Sequence, residues 1–327
     1  MQPPPAPALS LRLRRTLAGA SGKIVACAWS ADGLSLACAS QGGAIGIWAA
    51  RPGLRRAALA LPSCFVLALA WQGGERLIAA GGLDSACSVF ASPAPGPALV
   101  RTKPLAVLAH AGYISSIAFR ADDVLTASGD ATVAAWSLAG GGARRSATYA
   151  GHLGDCLCVA APAAGGALLA SGGCDATLRV WDARARAPCV LTLRGHASDV
   201  NAVAWHPGGC GALASGGDDA EARVWDCRAP RAALAILRAD GVAAGVTAVA
   251  WSASGRLVIA GYDDEVGGRA FDLAAAADGG GGGGDGGGGA PFAELRAHAS
   301  RVACAAVNTQ GDALAFGSWD GACSIWA

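Results

Sequence analysis

The sequence has little of what membrane-spanning and nucleic-acid-binding proteins need. Lys23 and Lys103 are its only lysines, and its formal net charge is +1, so it has no large positive field to attract nucleic acid or anionic lipid. The longest apolar run, residues 57–71, contains Pro62 and is too short to span a bilayer. The start of the chain, MQPPPAPALSLRLRR, has no apolar core of a secretory signal peptide. These absences favour a protein of the cytoplasm.

The 12 cysteines are scattered and show no zinc-binding or disulfide pattern. Only Cys156 and Cys158 stand close together, and no CxxC pair is accompanied by a second pair or by two histidines. We expect free thiols, most of them buried, in a reducing compartment. The sequence therefore predicts neither a metal site nor a cofactor.

What the sequence does contain is an internal repeat of 42 to 46 residues, lengthened to 55 in its last interval. Each copy ends in an aromatic residue followed by a small or acidic one, at positions 48, 90, 136, 181, 225, 271 and 326. An aspartate precedes most of these aromatics by six residues, and four of the five histidines share one position further upstream. Residues 193–226 form the clearest copy, in which alternating apolar runs divided by Gly, Pro and Asp predict three short strands.

A unit that runs from Gly-His to Trp-Asp with four strands is typical of a WD-repeat propeller blade. Seven units predict an all-β, seven-bladed WD-repeat β-propeller over residues 11–327, after a disordered Pro-rich segment at 1–10. The last unit is one strand short, and residues 11–20 resemble the outer strands of the other units. We therefore expect this N-terminal strand to close the ring. The Gly-rich stretch 274–291 predicts a flexible insertion, because it lacks the Lys-Ser/Thr ending of a phosphate loop.

The stretch SGGDDAEARVWD (215–226) holds three carboxylates, Asp218, Asp219 and Glu221, and raises the question of an acid–base or metal site. The repeat assigns Asp219 to structure instead. In WD-repeat proteins a His, a Ser or Thr, the turn Asp and the Trp form a buried polar relay, since a buried carboxylate must be hydrogen-bonded. Glu221 is expected to be solvated. The residues predicted to form relays are His110, Asp130, Trp136, His152, Asp175, Trp181, His196, Asp219, Trp225, His298, Asp320 and Trp326.

Positions that differ between the copies lie on predicted loops of one face and are candidates for partner binding. Three residues after the histidine position stand Lys23, Phe65, Tyr113, Asp155, Asp199 and Arg301, and just before the turn aspartate stand Gln41, Leu83, Gly129, Cys174, Asp218, Asp263 and Trp319. Trp319 shares its position with no other Trp, whereas Trp29, Trp71, Trp205 and Trp251 share one and are expected in the core. An exposed Trp flanked by charges is typical of a binding hot spot. Catalysis finds no support, because no Ser/His/Asp or Cys/His set stands outside the repeat positions.

Beyond the repeat, residues 14–327 resemble the β subunits of heterotrimeric G proteins. The stretches that carry the resemblance are RRTLAGASGKI (14–24), AAGGLDSACSVF (79–90), ASGGCDATLRVWD (170–182), GHASDVNAVAWHPGG (195–209), AGYDDEV (260–266) and FGSWDGACSIW (316–326). The resemblance implies a non-catalytic subunit whose narrow face binds the GDP-bound α subunit and, after its release, effectors in transmembrane-receptor signalling. It also implies a cytoplasmic location, at the inner face of the plasma membrane through lipidated partners. The implied α-subunit and effector face includes Lys23, Arg55, Phe65, Leu67, Leu83, Tyr113, Asp155, Leu157, Asp199, Asp218 and Trp319.

The chain departs from the family pattern in several places. Phe65 and Leu67 stand where the family usually has Trp and Met, Leu157 replaces a Met, Arg55 a Lys and Val25 a Tyr. Family members bind the γ subunit through an N-terminal helix, whereas 13 residues precede the match here and MQPPPAP cannot be helical. We expect either an incomplete chain or a γ subunit bound weakly by the propeller alone. The alternative function is a generic WD-repeat scaffold, although neither a helical extension for an adaptor nor a basic patch for RNA supports it.

Overall fold

The computed structural model describes residues 11–19, 22–61, 65–74, 77–93, 99–100, 103–139, 142–163, 165–229, 232–274 and 288–327. These residues form β-sheets and turns, with almost no helix among them. The segment 1–10 and most of the stretch 274–291 lie outside the described residues, so the disorder and flexibility expected there stay predictions.

Seven sheets of four or five strands account for the described part of the chain, and each sheet is one blade. Blade 1 contains β2 (Ile24–Trp29), β3 (Ser35–Ser40), β4 (Ala44–Ala49) and β5 (Leu54–Ala60). Blade 2 contains β6 (Val66–Trp71), β7 (Leu77–Gly82), β8 (Ala86–Ala91) and β10 (Ala106–Ala109). Blade 3 contains β11 (Ile114–Arg120), β12 (Asp123–Ser128), β13 (Thr132–Ser137) and β14 (Arg144–Ala150).

The remaining four blades follow the same order. Blade 4 contains β15 (Cys156–Ala160), β16 (Leu168–Gly173), β17 (Thr177–Asp182) and β18 (Cys189–Arg194). Blade 5 contains β19 (Val200–Trp205), β20 (Ala212–Gly217), β21 (Ala222–Asp226) and β22 (Ala235–Leu237). Blade 6 contains β23 (Val246–Trp251), β24 (Leu257–Tyr262), β25 (Gly268–Asp272) and β27 (Ala293–Leu295). Blade 7 contains β28 (Val302–Val307), β29 (Leu314–Ser318), β30 (Cys323–Trp326) and β1 (Leu13–Leu17).

Two short strands extend the outer edges of blades. The strand β9 (Leu99–Val100) pairs in parallel with β5, and β26 (Gly288–Gly289), at the end of the Gly-rich stretch, pairs in parallel with β22. These additions cover part of two exposed sheet edges.

The first strands of the blades form a closed inner ring. Each contacts the first strands of both neighbours, in the order β2, β6, β11, β15, β19, β23, β28 and back to β2. The hydrophobic clusters of the described residues lie between adjacent blades; one of them joins Leu59 of blade 1 to Phe90 of blade 2. The predicted seven-bladed β-propeller is therefore confirmed, and its core is divided among the blade interfaces.

An N-terminal strand closes the ring, as predicted. Strand β1 pairs antiparallel with β30, so that Leu13 lies opposite Trp326 and Leu17 opposite Cys323. Beyond this register, Arg12 and Ala327 exchange two backbone hydrogen bonds of 3.0 Å. One blade is thus built from both ends of the described chain.

Inner-strand tryptophans connect neighbouring blades. Trp29 donates its indole N–H to the carbonyl of Ala306 at 3.0 Å, and Trp205 and Trp251 make equivalent bonds of 3.1 Å. Trp29 and Trp251 are buried, while Trp71 and Trp205 are half-buried. Each bond fixes the distance between two adjacent first strands at the end of the propeller where those strands finish.

No helix in the described part of the chain has the length and apolarity that crossing a bilayer requires.

Candidate functional site

Blade 4 contains a complete polar relay. The indole N–H of Trp181 donates to Ser171 Oγ at 2.9 Å, and this Oγ lies 2.8 Å from His152 Nε2. Because the ionised Asp175 only accepts, the His152 Nδ1–H donates to it at 3.0 Å, and the unprotonated Nε2 of the neutral ring accepts the serine hydroxyl proton. Asp175 also accepts the backbone N–H of Leu153 at 3.0 Å. The relay therefore pairs each of its buried polar groups and joins three parts of one blade.

Blades 3, 5 and 7 contain relays of the same kind. In blades 3 and 5 the hydroxyl group belongs to Thr126 and Ser215, ten residues before the Trp. Blade 7 has Phe316 at that position, and Ser324 supplies the hydroxyl instead, 2.8 Å from the histidine Nε2 and 3.0 Å from the indole nitrogen. The relay histidines and aspartates lie 2.9 Å apart in these blades, in the pairs His110–Asp130, His196–Asp219 and His298–Asp320.

Burial and pairing set the protonation states of the relay. Burial lowers the pKa of His110 and of His152, against the attraction of the paired aspartates, so both imidazoles are neutral at neutral pH. Burial alone would raise the pKa of Asp175, but hydrogen bonds led by the Thr177 hydroxyl and the Leu153 N–H lower it to about 2. A neutral histidine and an ionised aspartate held in this way form a structural support within the blade.

Blade 6 replaces the relay with a buried ion pair. Arg269 is 2% exposed, donates to Asp264 at 2.7 Å and places its Cζ 4.5 Å from the ring centre of Tyr262. The carboxylate and the aromatic face compensate part of the desolvation of the guanidinium group, whose Nε and Nη1 are buried without a hydrogen-bond partner among the described residues. The repeat therefore tolerates different polar chemistry in different blades.

Glu221 corrects a sequence-based expectation. It was expected to be solvated, but it is 7% exposed and forms ion pairs with Arg223 and Arg238. The two guanidinium groups compensate a carboxylate that packs against the outer strand of blade 5. The sequence pattern around β21 predicted that Glu221 would face solvent. Its burial is explained only by its two ion-pair partners, Arg223 and Arg238.

The variable positions form one ring on the face where the first strands begin, which we call the ring face. In each described blade the N–H of the residue before the turn donates to the carbonyl of the residue just before the first strand. These pairs, donor first, are Gln41–Lys23, Leu83–Phe65, Gly129–Tyr113, Cys174–Asp155, Asp218–Asp199, Asp263–Gly245 and Trp319–Arg301. Since the first strands surround the axis, the bonds present these side chains around the mouth of the central channel.

Trp319 lies between two cations on the ring face. Its side chain is 37% exposed on the turn after β29. Lys23 Nζ lies 3.9 Å and Arg301 Cζ 4.9 Å from the ring centre, and Arg301 also pairs with Asp263 at 3.0 Å. The cation–π contacts hold the indole in one orientation and leave more than a third of it accessible to a partner.

Carboxylates line the ring face in blades 4 to 6, at Asp155, Asp199, Asp218 and Asp263. Asp155 accepts the Tyr113 hydroxyl at 2.7 Å, and burial followed by this hydrogen bond raises the pKa of Tyr113. Burial and a hydrogen bond to Asp199 raise the pKa of the Cys174 thiol to about 12. Both groups therefore stay protonated, and they hold the carboxylates in place as neutral donors.

Blade 2 contributes an apolar sector. Phe65 and Leu83 are 51% and 54% exposed, respectively. Phe65 has a φ of 67°, in the left-handed region that aromatic residues rarely adopt. The neighbouring Gly82 must lack a side chain, because a Cβ there would lie 1.9 Å from the Phe65 carbonyl oxygen. An exposed aromatic residue on a strained backbone indicates a functional surface.

A β-bulge near the start of each described first strand turns one side chain toward the next blade. Leu67 and Leu157 occupy such positions and are half-buried below the ring face. The sequence analysis did not single out three polar residues at the same position. They donate to carbonyl groups of the next first strand, in the bonds Ser115–Cys156 (2.5 Å), Asn201–Val246 (3.1 Å) and Thr247–Val302 (2.5 Å).

Arg55 lies apart from the ring face. It is exposed on β5, the fourth strand of blade 1, opposite Trp48. Strands are spaced by about 4.8 Å, so three spacings put it roughly 14 Å from β2. The structure therefore does not bring Arg55 together with Lys23 and Trp319. No group of His, Cys, Asp and Glu side chains within the described ranges has the arrangement of a metal site.

Fold and site together define a class of protein: a WD-repeat propeller with structural relays and one continuous variable face. A family model described as "G protein beta WD-40 repeat protein" matches residues 4–327. The chain is 31% identical to an Arabidopsis thaliana guanine nucleotide-binding protein subunit beta, over 96% of this chain and 82% of that protein. It is 36% identical to a Homarus americanus G(I)/G(S)/G(T) subunit beta-1, over 97% of this chain and 87% of that one. It is 35% identical to a Danio rerio subunit beta-5b, over 97% of this chain and 76% of that one.

The chain therefore belongs to the G protein β WD-40 repeat family. Membership in this family makes it a non-catalytic signalling subunit, as the resemblance of residues 14–327 implied.

Proposed function

We propose that this protein is the β subunit of a heterotrimeric guanine nucleotide-binding protein and that its ring face binds the GDP-bound α subunit. The observation that carries the proposal is the arrangement of Trp319 between Lys23 and Arg301, on the same face as the carboxylates of blades 4 to 6. Such a surface combines an aromatic anchor with charges of both signs, as tight protein interfaces do.

The charge distribution supports a defined orientation of the partner. Lys23 and Arg301 favour acidic or apolar groups of the partner at blades 7 and 1, while Asp155, Asp199 and Asp218 favour basic groups at blades 4 and 5. The apolar Phe65 and Leu83 lie between these sectors. A mobile segment of the α subunit that changes with the bound nucleotide would match the face in one state and lose that match in the other.

Effectors would use the same face once the α subunit has left. Because one patch serves both partners, binding of either excludes the other, and nucleotide exchange in α controls access for the effector. Arg55, on the side of blade 1, would contact a separate segment of the α subunit. Leu67 and Leu157 would support the ring face from below.

The γ subunit and a membrane location complete the proposal. The relatives are named as subunits of guanine nucleotide-binding proteins, which supports assembly with α and γ subunits. The protein would then act in the cytoplasm, at the inner face of the plasma membrane, through lipidated partner subunits. A generic scaffold role has no observation of its own in its favour.

The test is capture of purified α subunit by this protein, with the α subunit loaded either with GDP or with a non-hydrolysable GTP analogue. We expect capture of the GDP form, and we expect Trp319→Ala to weaken it by about 2 kcal/mol or more, roughly 30-fold. Val107→Ala is the control, because Val107 is a 56% exposed apolar residue on the outer strand of blade 2. Parallel reactions with and without γ subunit show whether γ is needed.

Equal capture by the unaltered protein and Trp319→Ala would place the α-binding surface elsewhere. Capture that does not depend on the nucleotide, or no capture with γ subunit present, would contradict the β-subunit role and favour a scaffold.

A further inference from the structure

A cleft between blades 7 and 1 lies on the face opposite the ring face. Strand β2 runs from the ring face to Trp29, and Trp29 lines this cleft. Its volume is about 440 Å³, within the range of about 300–1,000 Å³ typical of small-molecule sites. Guanidinium groups and apolar side chains both line it, namely Arg14, Arg15 and Arg51 with Trp29, Leu34 and Ile325.

The cleft has an excess of positive charge. None of the ion pairs formed among the described residues involves Arg14, Arg15 or Arg51. Arg15 Nε donates to the Arg51 carbonyl at 3.1 Å, which leaves its terminal nitrogens for another acceptor. Asp312 is the one acidic side chain among the described lining residues, and it accepts an amide hydrogen bond of 2.5 Å within its own loop. A terminal carboxylate on Ala327 would still leave the arginines in excess.

The walls of the cleft are cross-linked between the two blades. Thr309 Oγ1 donates to the Ala31 carbonyl at 2.7 Å, and Gln310 Nε2 donates to the Asp32 carbonyl at 2.8 Å. These bonds tie the first loop of blade 7 to the first loop of blade 1. The cleft is therefore preformed, which lowers the entropic cost of binding a ligand there.

The neighbouring cleft in the ring does not share this excess of arginine. The neighbouring cleft between blades 1 and 2 has about half the volume, about 230 Å³. It contains one arginine, Arg56, which donates to Ser35 Oγ at 3.0 Å, and it also contains Asp32. The repeat alone therefore does not explain the charge of the cleft between blades 7 and 1.

We propose that the cleft between blades 7 and 1 binds a phosphate monoester that carries a short apolar group. The three guanidinium groups outnumber the carboxylate of Asp312, and this excess of positive charge favours a ligand such as a phosphate monoester, whose charge is about −1.5 to −2 at neutral pH. Guanidinium groups also bind phosphate oxygens in pairs. The apolar group of the ligand packs on Trp29, Leu34 and Ile325. The monoester belongs either to a free molecule or to the headgroup of a lipid.

Isothermal titration with octyl phosphate, below the concentration at which it forms micelles, tests the proposal. We expect saturable binding at one site, and a loss of affinity of about tenfold or more in the double variant Arg14→Gln/Arg51→Gln. The matched control is Arg144→Gln/Arg194→Gln, which removes two exposed arginines from blades 3 and 4. Octyl glucoside, which has the same chain and no charge, should not bind.

A folding control and a lipid arm accompany the titration. Thermal melting checks that the double variant folds; if it does not, protection of Arg14 and Arg51 from phenylglyoxal by octyl phosphate is measured on the unaltered protein. Arginine-dependent sedimentation with phosphatidylcholine vesicles that contain phosphatidic acid would identify a lipid headgroup as the source, whereas binding of octyl phosphate alone would identify a free molecule. Equal binding by the protein and the double variant, absence of protection, or equal binding of octyl glucoside would overturn the proposal.

Discussion

At the scale of single residues, Ser324 carries the relay of blade 7. Its hydroxyl contacts both the indole nitrogen of Trp326 and the Nε2 of His298. Ser324→Ala would leave both buried groups without a partner, and each unsatisfied group costs about 1–3 kcal/mol. We therefore expect the free energy of unfolding, measured by urea denaturation, to fall by about 2 kcal/mol or more.

The exposed Ser254 provides the matched substitution, since Ser254→Ala removes a hydroxyl that lies outside every relay. A loss of similar size in both variants would show that the hydroxyl group of Ser324 has no special role in blade 7.

Individual residues also show where sequence-based prediction ends. The spacing of His298, Asp320 and Trp326 identified three members of a relay, because the repeat keeps them at constant positions. It did not identify Ser324, because the hydroxyl moved to another strand when Phe316 took its usual place. The burial of Glu221 was missed for a related reason: Arg238, one of its two partners, directly follows the next strand, β22.

At the scale of secondary-structure elements, the tight turn between the second and third strands of a blade requires a left-handed residue. Gly43 and Gly321 take this conformation in blades 1 and 7, with φ of 87° and 84°, whereas Ala131 and Ala176 take it in blades 3 and 4, with φ of 65° and 56°. A left-handed conformation costs an L-residue about 1–2 kcal/mol, and glycine loses about 0.5–1 kcal/mol of backbone entropy. Ala176→Gly should therefore stabilise the protein by about 0.5–1 kcal/mol.

The same substitution in a strand should act in the opposite direction. Ala109 is exposed at the end of β10, and Ala109→Gly should destabilise the protein by about 0.5–1 kcal/mol. Urea denaturation of both variants measures the sign of each change in the free energy of unfolding. Destabilisation by Ala176→Gly would contradict the claim that the turn is strained.

Strand positions were predicted well because every blade interface needs the same alternation of apolar residues. That alternation recurs in each of the seven repeats and fixes the register of the strands. The three strands predicted in residues 193–226 are found as β19, β20 and β21. The β-bulges were not predicted, because one inserted residue changes the direction of a side chain without changing the apolar pattern. Ser115, Asn201 and Thr247 were missed for this reason.

At the scale of the whole molecule, the ring links blades that differ in polar chemistry. Blades 3, 4, 5 and 7 use a histidine paired with an aspartate, whereas blade 6 uses an arginine–aspartate ion pair. The first strand of each blade contacts the first strands of both neighbouring blades. Loss of one relay should therefore weaken the packing at two blade interfaces. Stability should therefore depend on pH through several relays together.

The relays predict two steps of acid destabilisation. Burial lowers the pKa of His110 and His152 below the usual 6.5, so the unfolded chain binds more protons and stability falls as the pH drops through about 6.5. Asp175 has its pKa lowered from 3.8 to about 2, so its contribution is complete above about 3.8 and is lost between that value and about 2. Urea denaturation between pH 8 and pH 3 measures the upper step and the start of the lower one. His152→Gln should reduce the upper step and only weaken the lower one, because the Thr177 hydroxyl and the Leu153 N–H still lower the pKa of Asp175. A free energy of unfolding that stays constant from about pH 7 to pH 5 would contradict the assignment of neutral, buried histidines.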